Sequence, residues 1–74
     1  MSTSNISLNL FAANVRKKRN ALGLTQEKLA ELANFDRTYI SMVERGKRNI
    51  SLINVCKLAR ALNVSPAVLM KGVK

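Results

Sequence analysis

Apolar residues recur along the chain at helical spacing, in segments separated by glycine, proline or capping residues. The first segment predicts a helix from about Leu8 to Leu22, because apolar residues about one turn apart form a single inward face. This face consists of Leu8, Phe11, Val15 and Leu22. Gly23 is expected to end the helix, and Leu24 is expected to pack behind it, since glycine readily adopts the left-handed conformation found there.

Residues 25–45 predict two shorter helices joined by a tight turn. Thr25 is a suitable N-cap for the first helix, and Glu27 lies in its first turn, where the helix dipole favours an acid. The residues of its inner face are Leu29, Ala30 and Ala33. Asn34 and Phe35 form the break before the second helix.

The second helix of the pair begins after Asp36, another suitable N-cap. Ile40 and Val43 are about one turn apart and face inward. Gly46 is expected to end this helix. The basic residues around its end are Arg45, Lys47 and Arg48.

A fourth helix is predicted from about Leu52 to Leu62, with Ser51 as its N-cap. Its inner face consists of Leu52, Val55, Leu58, Ala59 and Leu62. Ile53 lies on the outer side, and Cys56 lies at the edge of the inner face. A lone cysteine with no histidine in the chain is read as a small buried side chain rather than a redox or metal-binding group.

The last helix is short and runs from Pro66 to about Lys71, with Ser65 as its N-cap and Leu69 closing the core. The pattern therefore predicts an all-α fold, a compact five-helix bundle that forms one domain over residues 1–74. Residues 1–6 are predicted to be flexible.

The outer face of the third helix carries side chains that can read DNA bases. These are Arg37, Thr38, Ser41 and Met42. Arginine can donate to both O6 and N7 of guanine in the major groove, and threonine offers a hydroxyl and a methyl group to a neighbouring base. Any solvated helix face can also carry arginine and threonine, so these two residues alone do not decide between a DNA-reading face and an ordinary solvated face.

The chain has 13 Lys and Arg residues against 4 Asp and Glu residues, which gives a net charge of +9. This excess favours a polyanion as the partner. The three aromatic residues are scattered, which argues against a membrane-surface helix and against an RNA module that stacks bases. No apolar run is long enough to span a bilayer, no signal peptide is evident, and one cysteine fits a reducing cytoplasm.

Catalysis is not expected. The chain contains no histidine, which is the commonest general base. Asp36 has a capping role, and Glu27 and Glu31 are neighbours one turn apart on an exposed helix. Since the sequence shows neither a phosphate-binding loop nor a metal-ligand cluster, no catalytic residue, metal or cofactor is predicted.

Several other residues are expected to contact the DNA backbone. Gln26 begins the second helix, where its amide and nearby backbone N–H groups can hold a phosphate. Tyr39 can pack either against sugar and phosphate or at the edge of the core. The remaining candidates are Lys17, Lys18, Arg45, Lys47, Arg48 and Asn49. Residues 1–5 contain no Lys or Arg and are not expected to form a DNA-binding arm.

The chain resembles the lambda-repressor/Cro-like helix-turn-helix family of small bacterial and phage regulators, from about Phe11 to Gly72. The matching residues are Thr25-Gln26, Leu29-Ala30, Ile40, Val43, Glu44 and Gly46-Lys47. Within this family, D-R-T-Y-I-S at residues 36–41 and E-R-G-K-R-N at residues 44–49 are similar to the controller proteins of restriction–modification systems.

The resemblance implies a lambda-repressor-like fold, with the helix-turn-helix at residues 25–45. It implies an ion pair between Arg19 and Glu44 that joins the first helix to the third. It also implies a homodimer formed through the C-terminal region, residues 64–74, where leftover apolar side chains suggest a contact patch. The residues assigned to this interface are Ile53, Val64, Pro66 and Val68.

Binding energies independently favour a dimer. Two base contacts per helix, at about 1–3 kcal/mol each, give about 2–6 kcal/mol, which is marginal against the about 4–10 kcal/mol that separates operator from bulk DNA. Two symmetric copies provide enough discrimination between operator and bulk DNA. A symmetric dimer implies a near-palindromic double-stranded operator with half-sites ~34 Å apart.

Such a regulator is expected to repress or activate, to contact RNA polymerase at an activated promoter, and to need no small-molecule effector. It is expected to reside in the cytoplasm and to associate with the nucleoid when bound. The alternative is an antitoxin or phage-type repressor whose DNA binding depends on a partner protein.

Overall fold

The computed structural model describes residues 4–74, which fold into five α-helices. They are α1 (Ser4–Ala21), α2 (Gln26–Ala33), α3 (Arg37–Glu44), α4 (Leu52–Ala61) and α5 (Pro66–Leu69). The prediction of an all-α five-helix bundle is confirmed. Residues 1–3, part of the stretch predicted to be flexible, lie outside the described residues.

Helix α1 begins four residues earlier than the predicted start at Leu8, so residues 4–6 are helical. The polar N-terminal sequence gave no periodic signal for this extension. The structure supplies a tertiary reason for it, because the Ser7 hydroxyl donates a 2.7 Å hydrogen bond to the backbone carbonyl of Lys74.

Two of the four predicted N-caps form side-chain hydrogen bonds. Thr25 Oγ1 accepts from the Lys28 backbone N–H at 3.0 Å, and Ser51 Oγ accepts from the Asn54 backbone N–H at 3.2 Å. Asp36 and Ser65 occupy the N-cap positions of α3 and α5 without such a bond.

The turn between α2 and α3 depends on Asn34, which adopts a left-handed conformation with φ 60°. The Phe35 backbone N–H then donates to the Ala30 carbonyl at 2.8 Å, which closes the end of α2. Gly46 has φ +69° after α3, and a Cβ atom at this position would collide with the side chain of Asn9. Helix α1 therefore lies directly against the C-terminal end of α3.

The core contains residues from all five helices. Its buried apolar residues are Phe11, Ala12, Val15, Leu29, Ala30, Ala33, Ile40, Val43, Val55, Leu58, Ala59, Leu62 and Leu69. Two predicted core residues are instead exposed, Leu22 at 49% and Leu52 at 75%. Leu22 follows the last residue of α1, where helical spacing no longer applies, and Leu52 is the first residue of α4. No helix within residues 4–74 is long and apolar enough to cross a membrane.

Candidate nucleic-acid interface

The outer face of α3 brings the four predicted base-reading residues together. Arg37 and Thr38 are exposed, and Ser41 and Met42 are half-buried. At 100° per residue the four side chains span an arc of about 140°. An α-helix with its side chains is about 10–12 Å in diameter, which fits the B-DNA major groove, about 12 Å wide.

The inner face of α3 ends in a buried carboxylate, that of Glu44, which is 1% exposed. Arg19 of α1 donates to it twice, from Nε to Oε2 at 2.6 Å and from Nη2 to Oε1 at 2.9 Å. Hydrogen bonding to Glu44 raises the pKa of the Arg19 guanidinium above its ordinary value, so this side chain remains charged wherever the protein is folded. The expected ion pair between α1 and α3 is thus present in the structure.

Helix α2 is joined to the same carboxylate through Gln26, whose Nε2 donates to Glu44 Oε1 at 3.1 Å. Gln26 was predicted to hold a phosphate, and its amide instead faces inward in this structure. Because a primary amide carries two hydrogens, the bond to Glu44 leaves one donor for a phosphate. That contact stays a prediction.

Arg16 also contacts α3, donating from Nη1 to the backbone carbonyl of Glu44. The position is favourable, since a cation near the last carbonyls of a helix complements the helix dipole. The sequence gave no sign of this role, because Arg16 is one of four consecutive basic residues, 16–19, that point in different directions around the helix.

Tyr39 lies at the edge of the core, one of its two predicted positions. Its ring packs on Phe35 with 4.8 Å between ring centroids. Its hydroxyl accepts a 3.0 Å hydrogen bond from Asn54 Nδ2, and the guanidinium of Arg48 lies 5.2 Å from its ring centroid. Asn54 was not among the predicted site residues, and no sequence signal marked it.

The remaining polar residues after α3 are exposed and lie close to the end of the helix, where they can reach a DNA backbone. They are Arg45, Lys47, Arg48 and Asn49. Arg45 Nε folds back and donates to the Ser41 backbone carbonyl at 3.3 Å.

Lys17 and Lys18 are not brought to this face. They line a surface cavity at the contact of α1 with α5, together with Val68 and Lys71. Asn14, also in that cavity, donates from Nδ2 to the Leu69 carbonyl at 2.8 Å, which fixes this side of α1 against α5. Phosphate contacts by the two lysines stay a prediction without support from this placement.

The predicted dimer residues lie around α4 and α5 without sharing a single pocket. Ile53 is 73% exposed and Val68 is 44% exposed. Val64 and Pro66 line a groove between α4 and α5, where Val64 is half-buried against the core. Their role in dimerisation stays a prediction. Within the described residues, no group of three or more His, Cys, Asp or Glu side chains is placed to hold a metal ion.

Comparison with known proteins gives consistent matches. A family model described as helix-turn-helix matches residues 15–69. The control protein C.BamHI of Bacillus amyloliquefaciens is 48% identical over 69 residues, covering 92% of this chain and 84% of that protein. The crystal structure of the restriction-modification controller protein C.AhdI from Aeromonas hydrophila is similar, with a TM-score of 0.82, 50% identity, and coverage of 84% of this chain and 94% of that chain.

A further solved structure contains DNA. It is the tetramer of the restriction-modification controller protein C.Esp1396I in complex with its natural 35 base-pair operator. Its TM-score with this chain is 0.83, at 34% identity, over 99% of this chain and 92% of that chain.

Proposed function

Because this chain belongs to the helix-turn-helix family and, within it, to the controller proteins of restriction–modification systems, we propose that it is a sequence-specific DNA-binding regulator of transcription. It acts as a homodimer on near-palindromic operators. The observation that carries the proposal is the outer face of α3, where Arg37, Thr38, Ser41 and Met42 lie together above a buried anchor at Glu44.

The residues of this face have separate tasks. Arg37 donates to a guanine, and Thr38 contacts a neighbouring base, since these side chains match the donor and acceptor pattern of the major groove. Ser41 and Met42 lie farther along the helix and contact bases or sugars. The phosphate contacts come from the ends of α2 and α3, namely Gln26, Arg45, Lys47, Arg48 and Asn49.

Dimer formation is supported by the number of DNA-reading helices. One chain carries a single α3, which occupies one major groove, whereas adjacent half-sites lie ~34 Å apart along one face of the duplex. A second copy is therefore needed to read the second half-site. Exposed apolar residues at Ile53 and Val68 fit the contact between two copies.

Assembly beyond the dimer is supported by the tetrameric relative on its 35 base-pair operator. At about 3.4 Å per base pair such a site is ~120 Å long, enough for two dimers side by side. We infer that this chain also occupies paired sites in the cytoplasm and controls expression through its own concentration. Repression or activation, with contact to RNA polymerase in the latter case, then depends on promoter layout.

The test is selection of bound duplexes from a random DNA pool by the purified protein at physiological salt. We expect a two-fold symmetric motif with half-sites about one helical turn apart. Recovery of no motif, with binding that collapses as salt rises, would mean that the net charge of +9 accounts for the affinity. A partner-dependent antitoxin or phage-type repressor would then be the better description.

A further inference from the structure

Three side chains from consecutive elements form one connected group between α3, the loop after it and the start of α4. Tyr39 comes from α3, Arg48 from the loop that follows, and Asn54 from the first turn of α4. Asn54 Nδ2 donates to the Tyr39 hydroxyl oxygen at 3.0 Å, and the Arg48 guanidinium lies over the Tyr39 ring at 5.2 Å from its centroid. These three side chains are called the Tyr39 group below.

In the Tyr39 group the tyrosine hydroxyl accepts a hydrogen bond from Asn54, and its own O–H remains free to donate. Because the tyrosine oxygen accepts from Asn54, its own hydrogen is available to an external acceptor. Asn54 itself is well anchored, since its backbone N–H donates to Ser51 Oγ at the cap of α4.

The Arg48 side chain is held in place by a ring contact, and its positive charge is not paired with a carboxylate among the described residues. The ring face attracts the guanidinium, and within residues 4–74 Arg48 forms no salt bridge with a carboxylate. The ring is itself held by its packing on Phe35. A phosphate oxygen is the acceptor that suits a guanidinium and a hydroxyl side by side.

We propose that Asn54 is a positioning residue, which orients Tyr39 and Arg48 as a preformed clamp for one DNA phosphate beside α3. The proposal rests on the proposed function and adds to it a residue on α4 that acts through Tyr39. Holding the arginine side chain in place before DNA arrives reduces the conformational entropy lost on binding.

The decisive variant is Asn54→Ala, which removes the amide, changes no charge and leaves the backbone cap at Ser51 intact. Binding is measured by fluorescence anisotropy on an operator duplex and on a random-sequence duplex over a series of salt concentrations. We expect affinity for both duplexes to fall by the same factor, about two- to tenfold. The slope of log K against log salt should fall by ~0.9, the value of one phosphate contact. The matched control is Asn20→Ala, the same substitution at an exposed position of α1.

A double-variant cycle tests whether Asn54 acts through the tyrosine. Tyr39→Phe removes the same hydrogen bond from its other end, together with the hydroxyl donor that faces the phosphate, and keeps the ring beneath Arg48. In the Tyr39→Phe background, Asn54→Ala should change affinity little further. The proposal would be overturned if the affinity losses of the two single variants multiply in the double variant. It would also be overturned if the salt slope of Asn54→Ala is unchanged, or if its loss of affinity is confined to the operator duplex.

The same data separate this inference from the proposed function. If the wild-type protein binds operator and random duplexes equally, sequence-specific regulation fails. The salt slope and the cycle measured on the random duplex still decide whether the clamp exists. Thermal melting of each variant reports folding, and Tyr39→Phe alone serves for the salt-slope test if Asn54→Ala does not fold.

Discussion

Substitution of Arg19 by methionine would leave the Glu44 carboxylate buried without its cation. Glu44 is 1% exposed, and Arg19 supplies two of the three side-chain hydrogen bonds that this carboxylate accepts. The Arg19 side chain is itself only 13% exposed, so water does not readily replace it. Within residues 4–74, Gln26 alone would remain to hydrogen-bond the negative charge.

The expected cost follows from this burial. Removing one partner of a buried ion pair destabilises a protein by about 3–5 kcal/mol. At 0.05–0.15 kcal/mol per residue, a domain of this size has a total stability of about 4–11 kcal/mol. Since 1 kcal/mol shifts the midpoint of a 60–100-residue domain by about 4–8 °C, Arg19→Met should lower Tm by at least about 12 °C.

The assay is thermal unfolding followed by circular dichroism, at several protein concentrations because dimer dissociation also shifts Tm. The control is Lys28→Met. Lys28 forms a 3.3 Å salt bridge with Glu31 in which both side chains are exposed, and such surface pairs contribute about 0–1 kcal/mol. A double variant, Arg19→Met with Glu44→Met, should recover much of the loss, since it replaces the buried charges by apolar groups.

Two results would refute the reasoning. One is a Tm for Arg19→Met no lower than that of Lys28→Met, which would mean that solvent reaches the carboxylate. The other is a double variant less stable than Arg19→Met alone, because the uncompensated charge of Glu44 would then not be the source of the loss.

Three further substitutions test other parts of the structure. Arg37→Ala should weaken operator binding by about 1–3 kcal/mol and leave random-sequence binding nearly intact, whereas Lys17→Ala, which removes a charge on the side of α1 next to α5, should change both affinities by the same factor; equal losses on both duplexes for Arg37→Ala, measured by anisotropy, would contradict base reading by Arg37. Gly46→Ala should destabilise by about 1–2 kcal/mol through its positive φ, and by at least as much as Gly23→Ala, which shares that conformation but has open space around its Cβ position; an unchanged Tm for Gly46→Ala would contradict this conformational cost. Val68→Glu should shift the sedimentation equilibrium toward monomer without lowering helicity, and an unchanged dimer would exclude Val68 from the interface.

Helix positions were predictable where local chemistry decides them. Thr25 and Ser51 cap their helices through hydrogen bonds to backbone only three residues ahead. Gly46 ends α3 because it tolerates a left-handed conformation. The outer face of α3 likewise follows from helical spacing once Ile40 and Val43 are assigned to the core.

Helix α1 shows where local signals fail. Its first turn has no apolar periodicity that would predict it, and the contact between Ser7 and Lys74 joins residues far apart in sequence. Ala12, which is 1% exposed, lies on the inner face, yet alanine is too common on solvated helix faces to be assigned to a core from sequence. Leu52, although apolar, is exposed at the first position of α4.

The polar residues around the interface were the least predictable part. Arg16 and Lys17 are adjacent basic residues, yet the first binds the end of α3 and the second lines a cavity beside α5. Asn54 resembles any polar residue near a helix start until its partner, Tyr39, is located across the loop. Such pairings depend on the angles between helices, which residue spacing within one helix does not contain.

The attachment of Glu44 to both α1 and α2 has a thermodynamic consequence for binding. The orientation of α3 is established when the chain folds, so its backbone needs no further ordering on DNA. Coupled folding and binding produce a large negative heat-capacity change because they bury core surface together with the interface. Binding through α3 should instead show the smaller heat-capacity change of a preformed surface, because only the apolar area that meets the DNA groove is buried.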